Sequence, residues 1–279
     1  MIDSYGIHIG PLYIHFYALI LIAAAIIGAW SVVQRAKARG LDPNHVWNGL
    51  MWVVIPGLIG ARIYHILTPT PDSGLTTQYY LQNPLQMLAI WNGGLGIYGG
   101  VLGGALGIFI YARRNRLPLL PWFDLAIPGL ILAQAIGRWG NFVNQELYGA
   151  PTTVPWAIEI PPDKRLPGYE QYSTFHPLFL YESIWDLLSF GFLLMIERRY
   201  RNRLLNGDLV LVYLILYPIG RFLLDYVRLD SNGFGFLTTA QIISLIMCIG
   251  ATIALILRHR RYRLGHCRQK KCPISGKIG

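Results

Sequence analysis

LYIHFYALILIAAAIIGAWSVVQ, residues 12–34, decides what kind of protein this is. It contains no Asp, Glu, Lys or Arg. As a helix it would extend about 35 Å, enough to cross a hydrocarbon core about 30 Å thick. Six further apolar stretches follow, at roughly 46–67, 94–112, 122–139, 177–197, 208–228 and 237–257. The third of the seven is rich in glycine, and the fourth and sixth contain Pro128 and Pro218. Membrane helices tolerate both residue types better than soluble ones. No Lys or Arg precedes the first stretch, so we read it as a retained span rather than a cleaved signal peptide.

Composition agrees. The chain has 279 residues, 53% of them hydrophobic and 14% charged, with a mean hydropathy of +0.40. Soluble domains carry about a quarter charged residues, and disordered chains more. The net charge of +10 would suggest nucleic acid in a soluble protein, but here its placement sets topology instead. Arg35, Lys37 and Arg39, then Arg113, Arg114 and Arg116, then Arg198, Arg199, Arg201 and Arg203 occupy alternate loops. The tail after residue 257 carries eight more, from Arg258 to Lys277, whereas segment 68–92 has none. The positive-inside rule makes those loops and the tail cytoplasmic and the N-terminus external, the parity seven spans require. We therefore expect an all-α polytopic membrane protein with one transmembrane catalytic domain, 1–257. An outer loop, 140–176, lies between the fourth and fifth spans, and a basic cytoplasmic tail, 258–279, lies against anionic headgroups. Three cysteines are too few for a disulfide framework. His266, Cys267 and Cys272 lack both zinc-ligand spacing and a fourth ligand, so no metal or other cofactor is expected.

Charges inside the spans are costly, about 2.5–3.5 kcal/mol for an arginine at mid-bilayer even on a lenient scale. Arg62, Arg138, Arg221 and Arg228 all fall late in outward-running spans, hence at one depth. Glu182 and Asp186 fall early in the inward-running fifth span; Asp225, Glu146 and His176 lie at the same level, as do Tyr17 and Tyr98. Tyr217, Arg221, Asp225 and Arg228 are spaced to share one helix face, where the aspartate would orient both arginines. Taken alone this is equally an ion-pair ladder or a site. With Arg62 and Arg138 added, positive charge exceeds what a neutral ladder needs and an anionic ligand at the outer headgroup level becomes the better reading. The run Gly137–Gly149, GRWGNFVNQELYG, places Asn141, Asn144 and Glu146 where a helix is expected to end and the chain to turn at the outer surface. That density of Arg, Asn and Glu favours binding over a plain polar turn. In GGLGIYGG, Gly93–Gly100, most glycines suit close helix packing, while Tyr98 is either an interfacial belt residue or a hydrogen-bonding or proton-transfer group.

These blocks resemble bacterial prolipoprotein diacylglyceryl transferases. GRWGNFVNQELYG carries the resemblance most strongly. Tyr17, GARIYHIL (60–67), GGLGIYGG (93–100), HPLFLYE (176–182) and YPIGRFLLDYVR (217–228) support it in order along the chain. The loop interior and the tail do not contribute. The resemblance implies transfer of diacylglyceryl from phosphatidylglycerol to the lipobox cysteine of a preprolipoprotein signal peptide. A thioether forms and glycerol 1-phosphate leaves, at the outer side of the bacterial inner membrane. It implies Arg138 and Arg221 as the essential pair, with Tyr98 and Glu146 also catalytic. Tyr17, Arg62, Asn141, Gly149, His176, Tyr217, Asp225 and Arg228 would join the lipid site. Two positions depart from the family pattern: Tyr98 stands where histidine is common, and Asp225 where glutamate is common. A tyrosine of pKa about 10 is a poor base at neutral pH unless cations lower it. Glu146 and His176 therefore remain alternative acceptors of the thiol proton. The rival readings are an anionic-metabolite transporter, which would carry its ionisable groups near the midplane, and a metal-dependent headgroup enzyme, which would need an acidic cluster. A purely lipid-binding protein would leave the Asn/Glu-rich run unexplained.

Overall fold

The computed structural model describes residues 5–9, 12–68, 76–89, 93–229, 233–234 and 237–270. Its long helices are α1 (Phe16–Ala38), α2 (Asn44–Leu67), α5 (Ile97–Arg114), α6 (Leu119–Asn144), α7 (Leu178–Arg199), α8 (Asp208–Leu224) and α9 (Thr239–Lys270), with short α3 (Thr77–Gln82) and α4 (Pro84–Leu88) between α2 and α5. Six of them, all but α5 among the long ones, are long and apolar enough to cross a membrane. α5 has 18 residues and ends in Arg113 and Arg114, which lower its mean hydropathy. The chain is thus a mostly helical polytopic membrane protein, but not purely helical. Two-stranded antiparallel pairs join β1 (Gly6–Ile9) to β2 (Leu12–His15), β3 (Ile158–Glu159) to β4 (Thr174–Phe175), and β5 (Gly233–Phe234) to β6 (Leu237–Thr238).

Several boundaries differ from the sequence reading. Residues 12–15 form a strand, so α1 begins at Phe16 and Tyr17 lies in its first turn. α6 does not stop near 139 but continues through Gly140 to Asn144. α8 ends at Leu224, after which Asp225–Val227 form a 3₁₀ turn and Arg228 is extended, so the expected single α-helical face is broken. α9 runs past 257 to Lys270, so no break separates a tail there. His266, Cys267 and Cys272 lie outside the described side chains.

The chain divides into two compact units, one of residues 1–31 and 123–279, the other of residues 32–122. In the second unit α2 packs closely on α5 through glycines. Pro56 has no N–H to give the carbonyl of Trp52, and Gly107 brings its backbone against that oxygen. A side chain at Gly60, Gly99 or Gly103 would collide with the facing backbone, so the small-residue stripe sets the interhelical distance.

In the first unit Ile127 and Ile131 of α6, Leu193 of α7 and Leu209 of α8 form a buried core. Polar bonds fix its register. Ser183 donates to the Ala135 carbonyl at 2.8 Å, and Gln134 and Tyr213 bond at 3.1 Å. The N-terminus of α8 follows Gly207, whose φ of 98° suits glycine, and has no cap of its own. Asp124 of α6 supplies one, accepting from Gly207 N at 2.5 Å and Val210 N at 3.1 Å. Satisfying such orphan donors with a carboxylate is the usual capping chemistry, here done from another helix.

Candidate functional site

Arg138, Glu182, Asp186, Arg221, Asp225 and Arg228 of the first unit converge where α6 and α8 end and α7 begins. Continuation of α6 puts Arg138 and Asn141 one turn apart on one face. Arg138 pairs with Glu182 of α7 at 3.0 Å, and the other oxygen of Glu182 faces Arg228 at 3.6 Å. Arg221 faces Asp225 at 3.4 Å. Asp225 is also held by the Thr238 hydroxyl, which donates to it from the start of α9. Glu182, Asp186 and Asp225 are all buried. The expected pairing of both helix-end arginines with Asp225 is thus corrected: Glu182 bridges Arg138 and Arg228, residues far apart in sequence.

Among the described residues, Arg138, Arg221 and Arg228 lie with the buried carboxylates Glu182, Asp186 and Asp225. What remains is a mismatch of donors and acceptors. Among the described residues, Arg221 Nη1 and Asp186 Oδ2 are buried without a hydrogen-bond partner. Both residues line a cavity of about 20 Å³ with Arg138, Glu182, Trp185 and Tyr217. That is the room of about one water molecule. Trp185 reaches the cavity by donating to the Leu216 carbonyl at 3.1 Å, lying across Gly220, where a side chain would collide with the indole.

Beyond α6 the chain is strained. Gln145 and Leu147 both adopt left-handed conformations, at φ 54° and 52°. Each costs about 1–3 kcal/mol in a non-glycine residue, and such costs gather at functional sites. Glu146 lies between them, exposed, accepting from Asn141 at 3.2 Å and Asn144 at 3.5 Å. The following strand segment is clamped on both sides. Gly149 N donates to the His176 carbonyl at 2.9 Å and Ala150 N to the Val227 carbonyl at 2.7 Å. A side chain at Gly149 would meet Val227 and His176, so glycine permits this close approach. The clamp ties Arg228 to the loop.

The loop has its own core of Tyr148, Ile160 and Phe175. The Tyr148 hydroxyl donates to the Lys164 carbonyl at 3.0 Å and accepts from Leu166 N at 2.6 Å. Burial raises the Tyr148 pKa above its ordinary value, so the phenol stays neutral. His176 Nδ1 lies 3.0 Å from the Tyr181 hydroxyl, which also accepts from Trp156 Nε1 at 2.7 Å. The Tyr17 ring packs on Gly140 within electrostatic reach of Arg138 and Glu146.

Arg62 and Tyr98 belong to the second unit. Arg62 is only 7% exposed and its guanidinium is occupied. It donates to the carbonyls of Gln86 (2.6 Å), Met87 (2.9 Å), Gly93 (2.7 Å) and Gly94 (2.9 Å) and stacks on Tyr80. This departs from the phosphate-binding role expected for it: four carbonyls satisfy the cation and hold the loop before α5. Tyr98, in the first turn of α5, is 67% exposed with its ring near Tyr64. The sequence reading placed Glu182 and Asp186 at this depth without a role in the site, and it did not single out Trp185 or Thr238. The spacing of Glu182 and Asp186, one turn apart in an apolar helix, was the available signal.

Comparisons with known proteins identify the family. A family model described as prolipoprotein diacylglyceryl transferase matches residues 4–257. A phosphatidylglycerol–prolipoprotein diacylglyceryl transferase of Chloroflexus aggregans is 39% identical over 272 residues, covering 90% of this chain and 87% of its own. The enzyme of that name from Synechococcus elongatus is 38% identical, covering 90% and 85%. The one from Fervidobacterium nodosum is 40% identical, covering 90% and 84%.

Proposed function

The chain belongs to the prolipoprotein diacylglyceryl transferase family, and from that premise we propose that the Arg138–Arg221 cluster holds the phosphate of phosphatidylglycerol. The protein is an integral membrane transferase that moves diacylglyceryl from phosphatidylglycerol to prolipoprotein. The finer reading counts α5 as a seventh span. The N-terminus and the Arg138 end of the first unit then face outward in the bacterial inner membrane, with the arginine-rich loops cytoplasmic. The acceptor is the lipobox cysteine of a signal peptide presented at that outer face.

One observation carries the site: arginines from two helices border one cavity, and a buried guanidinium nitrogen of Arg221 lacks a partner there. A phosphate oxygen supplies what that nitrogen lacks. The cavity is too small for a phosphate as it stands, so binding displaces Arg138 or Arg221 from its present position. The substrate thiolate attacks the carbon of the diacylglyceryl group that is bonded to the phosphate oxygen. The S–C bond forms, the C–O bond breaks, and glycerol 1-phosphate takes the electron pair. Arg138 and Arg221 stabilise the charge that grows on the phosphate. The thiol proton passes to an acceptor, for which exposed Glu146 is better placed than His176, already bonded to Tyr181. Asn141 orients Glu146, and the pair suits the glycerol hydroxyls. Tyr17, Gly149, Tyr217, Asp225 and Arg228 shape and hold this site. For Tyr98, of the second unit, the resemblance leaves the role of a hydroxyl rather than that of a base.

The test is a defined transfer assay: purified protein, phosphatidylglycerol and a lipobox peptide, read by mass spectrometry. The expected result is a diacylglyceryl mass on the cysteine with glycerol phosphate released, both lost in Arg138→Ala. Full transfer by a folded Arg138→Ala protein would overturn the phosphate assignment.

A further inference from the structure

A second cavity of the first unit lies at the other end of α7 and α8, where the reaction has no use for it. It measures about 510 Å³, within the range of ligand pockets. Ile196, Leu204, Val212 and Leu255 give it apolar walls. Arg203, Arg263, His259 and Asn202 line it as well, with Tyr200 and Tyr262. Arg203 and Arg263 are exposed.

The cleft is built on a rigid base. Asp208, fully buried, accepts from Leu205 N at 2.7 Å and pairs with His259 at 2.7 Å and Arg258 at 3.9 Å. Arg258 also donates to the Asn206 carbonyl at 2.5 Å. These bonds fasten α9 to the turn before α8, and Asp124 fastens that turn to α6. The first residues of the expected basic tail are therefore structural. One buried acid is met by two basic residues, and Arg203 and Arg263 add to the positive side.

This combination selects its occupant. A soluble anion needs no apolar wall, and an acyl chain alone needs no arginines. Tyrosines beside arginines at the end of apolar helices mark a membrane interface. We propose that the cleft binds one anionic phospholipid of the leaflet on the arginine-rich side, its phosphate between Arg203 and Arg263 and an acyl chain along Ile196, Val212 and Leu255. Arginine pairs with phosphate through forked, charge-assisted bonds, and apolar burial adds affinity in proportion to area. The site is independent of the transfer reaction.

Native mass spectrometry of the purified full-length protein tests it, with dioleoyl phosphatidic acid as probe and dioleoyl phosphatidylcholine as control. Wild type should retain one phosphatidic acid that Arg138→Ala also retains and that Arg203→Gln/Arg263→Gln binds about tenfold more weakly. Leu255→Trp, which fills the cleft but keeps the charge, should lose the same lipid. Both variants should keep transfer activity, which also reports that they fold. Retention of phosphatidylcholine equal to phosphatidic acid would overturn the proposal. So would unchanged binding in the arginine double variant, or loss of the same lipid in Arg138→Ala.

Discussion

Arg62 and Arg138 are both arginines late in an apolar helix, yet they are satisfied differently. Arg62, in the second unit, donates to four backbone carbonyls, two in α4 and two in the loop before α5. Arg138, in the first unit, meets a carboxylate at 3.0 Å beside a cavity bordered by an unmatched donor. Carbonyls belong to the backbone and can be released only by unfolding those segments. A side-chain carboxylate can give up one partner and keep another, as Glu182 shares itself between Arg138 and Arg228. An intramembrane arginine is therefore weak evidence for a ligand until its partners are known. Backbone partners signal architecture, whereas shared side-chain partners signal a site that can rearrange.

The largest effect expected from this contrast is on chemistry. Arg138→Ala and Arg221→Ala should each lower transfer by about a hundred- to a thousandfold, the scale for removing a preorganised donor from a low-dielectric site. The proteins should still insert and keep their helical circular dichroism. Arg221→Lys should recover little, because an ammonium cannot supply the forked geometry. Steady-state rates with the lipobox peptide decide this, and a fast Arg221→Ala enzyme would erase the contrast with Arg62.

Next is the carboxylate between the arginines. Glu182→Gln removes the charge shared by Arg138 and Arg228 but leaves the side-chain shape. Transfer should fall roughly ten- to a hundredfold, chiefly in kcat, because both guanidiniums lose their alignment rather than their charge. Removing one partner of a buried ion pair also costs stability, about 3–5 kcal/mol where no other partner is available. A Glu182→Gln enzyme with wild-type kcat would mean that Arg138 is positioned by other contacts.

Arg62→Gln should do the opposite. Each buried carbonyl left without a donor costs about 1–3 kcal/mol. The unfolding midpoint in detergent should fall by several degrees, while activity per folded molecule stays within about threefold of wild type. Loss of activity at unchanged stability would return Arg62 to the ligand-binding group, where the sequence reading had put it.

The difference between these arginines was not legible in the sequence, though much else was. The apolar stretches located all seven long helices to within a few residues at most ends, because span length and charge exclusion are local properties. Gly137–Gly149 and Tyr217–Arg228 were recognisable as blocks because their polar residues sit close together in sequence. The pairing of Glu182 with Arg138 joins residues 44 positions apart, which no periodicity reports. The four carbonyls on Arg62 carry no side-chain signature at all. The left-handed conformations of Gln145 and Leu147 were equally hidden, since neither residue type announces them. The extension of α9 past residue 257 was missed because its arginines read as solvated charge, whereas Arg258 and His259 are docked on the turn before α8.

Tyr98 gives the smallest and most discriminating effect. Its ring is two-thirds exposed, with the Tyr64 ring beside it. A phenol that merely donates a hydrogen bond to substrate contributes about 0.5–1.5 kcal/mol, so Tyr98→Phe should slow transfer about tenfold or less. A phenol that carried the thiol proton would be indispensable, and its removal would cost a hundredfold or more. Tyr98→His sharpens the outcome. If position 98 takes no part in proton transfer, histidine should leave the pH dependence of kcat/KM unchanged. If it does take part, histidine should introduce a new inflection near its own pKa of about 6.5. A tenfold loss in Tyr98→Phe with an unchanged profile in Tyr98→His would leave the proton with Glu146, and Glu146→Gln would then be the slower of the two enzymes.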